Sequence, residues 1–262
     1  MTTEKKQYSF QELLEIIRKL RAEDGCPWDR VQTHETIKMN LVEEAYEAIE
    51  SLDAGDKDAF ADELGDILLQ VVFHSQIGKE EGTFSIDDVL YHVCHKMISR
   101  HTHIFGDDKA DTPEAVLDTW EKNKQKEKGQ KSYTESMESV CAYLPALIRA
   151  EKVQSKAAKV GFDWPEVSGA LEKLQEETRE LKEAVATGDK DTISEELGDV
   201  LFSAVNVSRF FKCSAEEALG KTIRKFINRF SYVEKAANEA GKRLEDMSLA
   251  EMDALWDEAK KK

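Results

Sequence analysis

Two glutamate-rich runs carry most of the chemistry this chain could do: Glu43-Glu44-x-x-Glu47 and Glu176-Glu177-x-x-Glu180. Fifteen residues beyond each comes a second acidic pair, Glu63-Leu64-Gly65-Asp66 after the first and Glu196-Leu197-Gly198-Asp199 after the second. On a helix, residues three or four apart share a face. If each pair of runs forms a helical hairpin, four or five carboxylates converge on one small volume. Such a cluster repels itself unless a cation occupies it. Ligands that are all oxygen select a hard divalent ion, Mg²⁺ or Mn²⁺, over zinc or copper. A lone E-E-x-x-E is ordinarily a solvated helix face, because glutamate is a good helix former. Here, however, the E-L-G-D carboxylates flank a strongly apolar helix, and the whole pattern occurs twice. A di-iron carboxylate bundle would need E-x-x-H from two helices; these positions read E-x-x-E and E-x-x-D, which disfavours iron.

The recurrence extends well beyond the carboxylates. Glu43 and Glu176 are 133 residues apart, and so are Asp66 and Asp199. Gly55 to Asp58 and Gly188 to Asp191 both read Gly-Asp-Lys-Asp. With small insertions the match continues: Gly25-Cys26-Pro27-Trp28 with Gly161-Phe162-Asp163-Trp164, and Lys96 to Arg100 with Lys225 to Arg229. Trp120 and Lys124 likewise pair with Trp256 and Lys260. A fixed internal period of this kind marks two copies of one structural unit. The expected organisation is a first unit over 10–124, a charged linker over 125–140 and a second unit over 141–262.

The elements that must position these groups are helical. Leu41, Ala45, Ala48, Ile49 and Leu52 recur at helical spacing, as do Leu171, Leu174, Leu181, Ala184 and Val185. The Gly-Asp segments stop these helices and permit a tight reversal. Each following helix is expected to turn an apolar set inward: Leu64, Ile67, Leu68, Val71 and Val72 in one copy, and Leu197, Val200, Leu201, Ala204 and Val205 in the other. A third helix runs through Ile86 to Arg100, or Ala215 to Ala240. No convincing strand pattern exists. The expected fold class is all-α, two tandem copies of a helical-bundle unit.

Composition bounds the partners. The formal net charge of −16 argues against gripping a nucleic-acid polymer through a basic face. A small phosphate ester remains compatible, provided metal ions offset the carboxylates. The four cysteines, Cys26, Cys94, Cys141 and Cys213, form no C-x-x-C pair, which fits a reducing compartment and no thiolate zinc site. Neither a signal peptide at Met1 to Lys6 nor a membrane span is expected, because the most apolar stretch, Leu64 to Phe73, is short and interrupted. A cytoplasmic location is the default expectation.

G-x-x-W, E-E-x-x-E and E-L-G-D in this order resemble the MazG family of nucleoside triphosphate pyrophosphohydrolases, and the tandem arrangement resembles its two-copy bacterial members. Leu144-Pro145-Ala146-Leu147 and Val160 to Trp164 also resemble that family. The resemblance implies an all-α fold related to dimeric dUTPases, an obligate homodimer, and Mg²⁺-dependent cleavage of ribo- and deoxyribonucleoside triphosphates between the α- and β-phosphates. It implies metal ligands at Glu177, Glu180, Glu196 and Asp199, and at Glu44, Glu47, Glu63 and Asp66. Lys225 and Arg229 fall at the phosphate-contacting positions, Trp256 at a nucleotide-contacting tryptophan, and Lys124 at a lysine that reaches the nucleotide. Catalysis is implied to run mainly through the C-terminal unit.

Read on the residues alone, Lys225 and Arg229 lie one helical turn apart, a spacing that suits either one triphosphate or an ordinary surface pair, and Trp256 suits stacking on a base and core packing equally. Glu176, or its repeat partner Glu43, and Glu177 are the candidates to position or deprotonate the attacking water. His92-x-x-His95 and His101-Thr102-His103 recur in neither copy's partner and are expected to be structural. No Walker-type glycine loop is present. Two other readings stay open: a narrower pyrophosphohydrolase of dUTPase or phosphoribosyl-ATP pyrophosphatase type, and a non-catalytic nucleotide-binding regulator.

Overall fold

A computed structural model describes residues 7–127, 129 and 132–261 of the 262. Every regular element among them is helical, so the chain is all-α. It divides into two compact units, 1–124 and 125–262.

The first unit contains α1 (Phe10–Leu20), two single turns α2 (Pro27–Arg30) and α3 (His34–Ile37), α4 (Asn40–Ala54), α5 (Lys57–Glu81), α6 (Ile86–Arg100), the turn α7 (Thr102–Phe105) and all but the last residues of α8 (Pro113–Glu127). Its centre is the α4–α5 hairpin. Gly55 closes α4 in the left-handed region at φ 72°, which only glycine adopts without cost, and Asp56 then caps α5 by accepting from the Asp58 and Ala59 amides. Ser9 and Glu12 form a reciprocal capping box that starts α1. The apolar stripe of α1 then lies on α5, and Ile17, Ile37, Val72, Phe73 and Ile77 make one buried cluster. Arg21 locks this packing. Its buried guanidinium donates to the Asp29 and Gln32 carbonyls and pairs with Glu80 at 2.7 Å.

That ion pair predicts a pH dependence. Burial alone would raise the Glu80 carboxyl, but hydrogen bonds from Arg21 and Gln76 outweigh it and hold the group below its ordinary value. A depressed carboxyl contributes stability that is present above the unfolded value and lost as pH falls through the folded one. Glu80→Gln is therefore expected to cost about 1 kcal/mol at neutral pH, since the carboxylate is partly exposed. Urea titration should show that difference fading in acid; a variant equally stable at pH 7 would refute the role given to Arg21.

The second unit contains α9 (Tyr133–Glu138), α10 (Ala146–Ala158), α11 (Val167–Thr187), α12 (Lys190–Phe210), α13 (Ala215–Glu239) and α14 (Leu249–Ala259). Its α11–α12 hairpin repeats the first one in detail, with Gly188 left-handed at φ 75° and Asp189 capping α12. Helix α10 packs on both α12 and α13, α14 packs on α13, and α9 lies against α10. Val205 and Val233 are fully buried, and Ala170, Ala184 and Ala237 are buried too. The stretch expected as a linker thus contains a short helix, capped by Ser132, whose Ser136 is buried.

The expected inward sets need correction. Val72 and Val205 are buried, but Leu64, Leu68, Leu197 and Leu201 are 40–49% exposed, and Leu41, Ile49, Leu52, Leu171 and Val185 are exposed as well, by 36–59%. Apolar residues encircle more of each hairpin than one face, and the remaining helices of a unit cover only one side. No helix among the described residues is long and apolar enough to cross a membrane.

Candidate active site

Each hairpin brings acidic side chains from its two helices to one place. Glu44, Glu63 and Asp66 can each offer an oxygen with all three within 4.8 Å of one another, and so can Glu177, Glu196 and Asp199. The helical period explains this: Glu63 and Asp66, like Glu196 and Asp199, are three residues apart and rise from one face toward the facing helix. Glu47 and Glu180 stand close enough to act electrostatically on these sets but are not within the three-oxygen groups. Glu180 instead lies 3.4 Å from the Arg179 guanidinium.

Electrostatics fit a cation. Partial burial and the charges of Asp66, Glu47, Glu63 and Glu43 push the Glu44 carboxyl above its ordinary value. Glu63 is raised by burial, Glu47, Asp66 and Asp62, and Glu196 by burial, Glu180, Glu177, Asp199 and Glu195. These are carboxylates whose charge is opposed by their own neighbours, the condition a divalent ion relieves. With only oxygen donors converging, the residues fit a hard divalent metal.

The two sets differ in surroundings. Glu177 is only 5% exposed, whereas every member of the first set is half-buried. Lys173 Nζ reaches Glu177 at 2.6 Å and Glu176 at 3.1 Å, and those two bonds raise the lysine above its ordinary value. The matching position in the first unit is Asn40, which brings no charge. Beside the second set a cavity of about 610 Å³ is lined by Lys173, Glu177 and Asp199 and continues to Trp164 and Arg209. Trp164 is held on α11 by Gly169, where a Cβ would lie 3.0 Å from the indole.

Other sequence-derived candidates lie elsewhere. Lys225 is exposed on α13, and Arg229 sits with its guanidinium 5.8 Å from the Trp256 ring. Trp256 packs at 5.0 Å on Phe226. None of these three lines the cavity. Lys124 is on α8, 3.6 Å from Glu121. Arg100, the first-unit counterpart of Arg229, is buried beneath Trp120, which also takes His101 edge-on at 4.7 Å. Sequence reasoning did not find Gln154, Asn206 or Arg209. The available signal was a departure from the repeat: at the 133-residue offset, Asn206 stands where the first unit has Phe73, and Arg209 where it has Gln76.

Fold and site together define a class: an all-α protein of tandem helical hairpins, each presenting an oxygen-only acidic set. Comparison with known proteins makes the family specific. The MazG nucleotide pyrophosphohydrolase domain matches twice, over residues 32–105 and 166–233. The chain is 45% identical to the nucleoside triphosphate pyrophosphohydrolase/pyrophosphatase MazG of Thermotoga maritima, over 96% of this chain and 95% of that protein. It is 38% identical to the nucleoside triphosphate pyrophosphohydrolase of Escherichia coli K12, over 95% and 96% of the two chains. It is also 48% identical to the uncharacterized protein YabN of Bacillus subtilis, over 97% of this chain and 52% of that one. The chain belongs to the MazG family, a family of enzymes.

Proposed function

We propose that the chain hydrolyses nucleoside triphosphates, ribo and deoxyribo alike, to the monophosphate and pyrophosphate. The observation that carries this reading is the buried Glu177, grouped with Glu196 and Asp199, in the wall of a nucleotide-sized cavity. Relatives at 38% and 45% identity, named for this activity over nearly their full length, support it. Mg²⁺, with Mn²⁺ as substitute, would be held by Glu177, Glu180, Glu196 and Asp199, and by Glu44, Glu47, Glu63 and Asp66 in the first unit; when bound it offsets phosphate charge and polarises the scissile anhydride.

The chain's own groups do the rest. Hydrolysis forms one P–O bond to water and breaks the bridging bond between the α- and β-phosphorus atoms. The proton lost by water goes to a carboxylate, for which Glu176 and Glu177 are the candidates, and the oxygen freed leaves with pyrophosphate. Lys173, paired with both glutamates, fixes where their carboxylates stand. Lys225 and Arg229 are proposed to meet phosphate oxygens, Trp256 and Lys124 to meet the nucleotide, as the resemblance implies. Incubation with each NTP and dNTP, followed by chromatography, tests the reading. Monophosphate and pyrophosphate are expected from all; turnover of one substrate alone would narrow the enzyme, and turnover of none would overturn it.

The exposed leucines of both hairpins support a homodimer, because so much apolar surface is stable in water only when covered. Light scattering of the active protein is expected to give twice the 29.7 kDa chain mass. A strictly monomeric active preparation would refute it. Soluble nucleoside triphosphates, with no nucleic-acid polymer or membrane as partner, and a cytoplasmic setting complete the proposal.

A further inference from the structure

All six histidines of the chain lie in the first unit, and two of them meet between α3 and α5. His34 on α3 and His74 on α5 face each other nitrogen to nitrogen: the two Nδ1 atoms are 2.7 Å apart and the rings are parallel to within 3°. At that distance one proton bridges them, so one ring donates and the other accepts. The outer nitrogens differ. His34 Nε2 is 3.6 Å from the Glu81 carboxylate, whereas His74 Nε2 is buried without a partner. Two protons therefore suit the neutral pair best in one arrangement: His74 carries the bridging proton, and His34 carries the other on Nε2, turned toward Glu81. His74 Nε2 is then a bare acceptor.

We propose that this pair is an acid-sensitive latch that holds α3, and with it the start of α4, against α5. The latch is independent of what the chain hydrolyses. Its sensitivity comes from where further protons would have to go. A third proton has only His74 Nε2 to occupy, where it becomes a buried donor with no acceptor. A fourth puts an N–H on each Nδ1, and the two hydrogens then point at each other across 2.7 Å. Glu81 favours a charge on His34, but it is half-exposed and 3.6 Å away, so solvent screens it. Closed, the pair resists protonation; apart and in water, each ring takes up its proton freely. Burial and the neighbouring His34 accordingly make His74 a weaker base than an ordinary imidazole. A base weakened in the folded state binds fewer protons there than in the open one. The closed form thus loses ground as pH falls through the ordinary imidazole value of about 6.5.

The other charges around the latch are engaged or in solvent. Arg21 of α1 is spent on Glu80 and two carbonyls, and Glu35 of α3 pairs with Lys38 at 2.7 Å. At the start of α6, Asp88 is bonded to Ser85. Glu43 of α4, Lys79 of α5 and Asp87 of α6 are exposed. Little else holds α3 down. It is a single turn, anchored by Ile37, 3% exposed, and by His34, which also stacks on Phe84 at 5.6 Å. Phe84 in turn lies over Gly78, where a Cβ would come within 2.7 Å of its ring. Only Lys38 and Met39 separate α3 from α4, and Glu44 of the first acidic set stands ten residues beyond His34. Opening the latch therefore loosens the entry to the helix that carries Glu44. The second unit has no counterpart: its sequence contains no histidine, and Val207 stands at the His74 position.

Hydrogen exchange of the full chain, read by mass spectrometry between about pH 7.5 and pH 5, tests the latch across the imidazole range. Each rate is divided by the intrinsic exchange rate at the same pH. The opening constant of the peptide containing α3 is expected to rise as pH falls below about 6.5, by up to about tenfold per pH unit for each proton taken up. A double variant, His34→Phe with His74→Phe, keeps two rings in place and removes the titrating nitrogens. Its α3 peptide should open to the same extent at every pH. Because Glu80 and both acidic sets remain in that variant, the difference between the two proteins belongs to the histidines. Should the double variant not fold, proton NMR of the wild-type chain decides: the His34 and His74 resonances should titrate together, below an ordinary imidazole, and in step with α3 opening. An α3 protection that stays flat across the range would overturn the latch. So would a slope equal to that of the double variant, or two histidines that titrate at ordinary values without any change in α3.

Discussion

Glu177→Ala and Asp199→Ala are each expected to remove most nucleoside triphosphate hydrolysis, a loss on the order of a hundredfold, because one missing ligand misplaces both the cation and the water it orders. Glu44→Ala and Asp66→Ala should cost far less. Ligand number does not separate the two sets, since each brings three carboxylates within 4.8 Å. Their surroundings do. Glu177 is buried and anchored by Lys173, whereas Glu44 is half-buried and its unit has the uncharged Asn40 at the position matching Lys173. The second set opens on a cavity, while the equivalent stretch of α5 is packed with Phe73 and tied up by the Gln76–Glu80–Arg21 network. Arg229 remains partly exposed on an unbroken α13, but Arg100 is buried at the end of α6, directly before His101. Side-by-side turnover of the four variants, with circular dichroism to confirm folding, checks this. Equal losses would mean two working sites, and a larger loss from Glu44 or Asp66 would reverse the assignment.

The hairpins were legible in the sequence because their signals are local. Gly55 and Gly188 end one helix, Asp56 and Asp189 cap the next, and a period near four places Glu63 beside Asp66 without any tertiary information. The bounds of α6 and nearly all of α13 follow from the same kind of signal. What periodicity does not reveal is which side of an apolar helix is covered. Leu64, Leu68, Leu197 and Leu201 satisfy an inward pattern as well as Val72 and Val205 do, yet the first four remain exposed because no helix of the unit reaches them. The cavity was illegible for a different reason. Gln154 comes from α10, Trp164 from the loop before α11 and Arg209 from the end of α12, so no spacing rule links them. Only the failure of Asn206 and Arg209 to match Phe73 and Gln76 marked the place where the second copy had departed from its twin.

Chelation of divalent cations is expected to abolish turnover and also to destabilise the folded chain. The two effects have one cause. Glu44, Glu63 and Glu196 are held above their ordinary values by partial burial and by neighbouring carboxylates. For a carboxyl raised in the folded state the linkage runs opposite to that of Glu80: the folded chain binds the proton more tightly than the unfolded one, so stability declines as pH rises through the raised range. At neutral pH the metal-free protein thus carries repulsion that either protonation or a cation would relieve. Added Mg²⁺ or Mn²⁺ should raise the midpoint of thermal unfolding at pH 7, in proportion to saturation of the site. The gain should shrink as pH falls toward the carboxylate range, because protons then compete for the same oxygens. Glu177→Ala should blunt it, leaving only the share contributed by the first set. Calorimetry with and without chelator at several pH values reads all three trends, and chromatography of the products reads activity in the same samples. Full turnover after exhaustive metal removal would sink the cation reading of both carboxylate sets. A melting temperature indifferent to Mg²⁺ and Mn²⁺ at pH 7 would show instead that Lys173 and solvent already satisfy the acidic cluster, and that the cation arrives only with the substrate's phosphates.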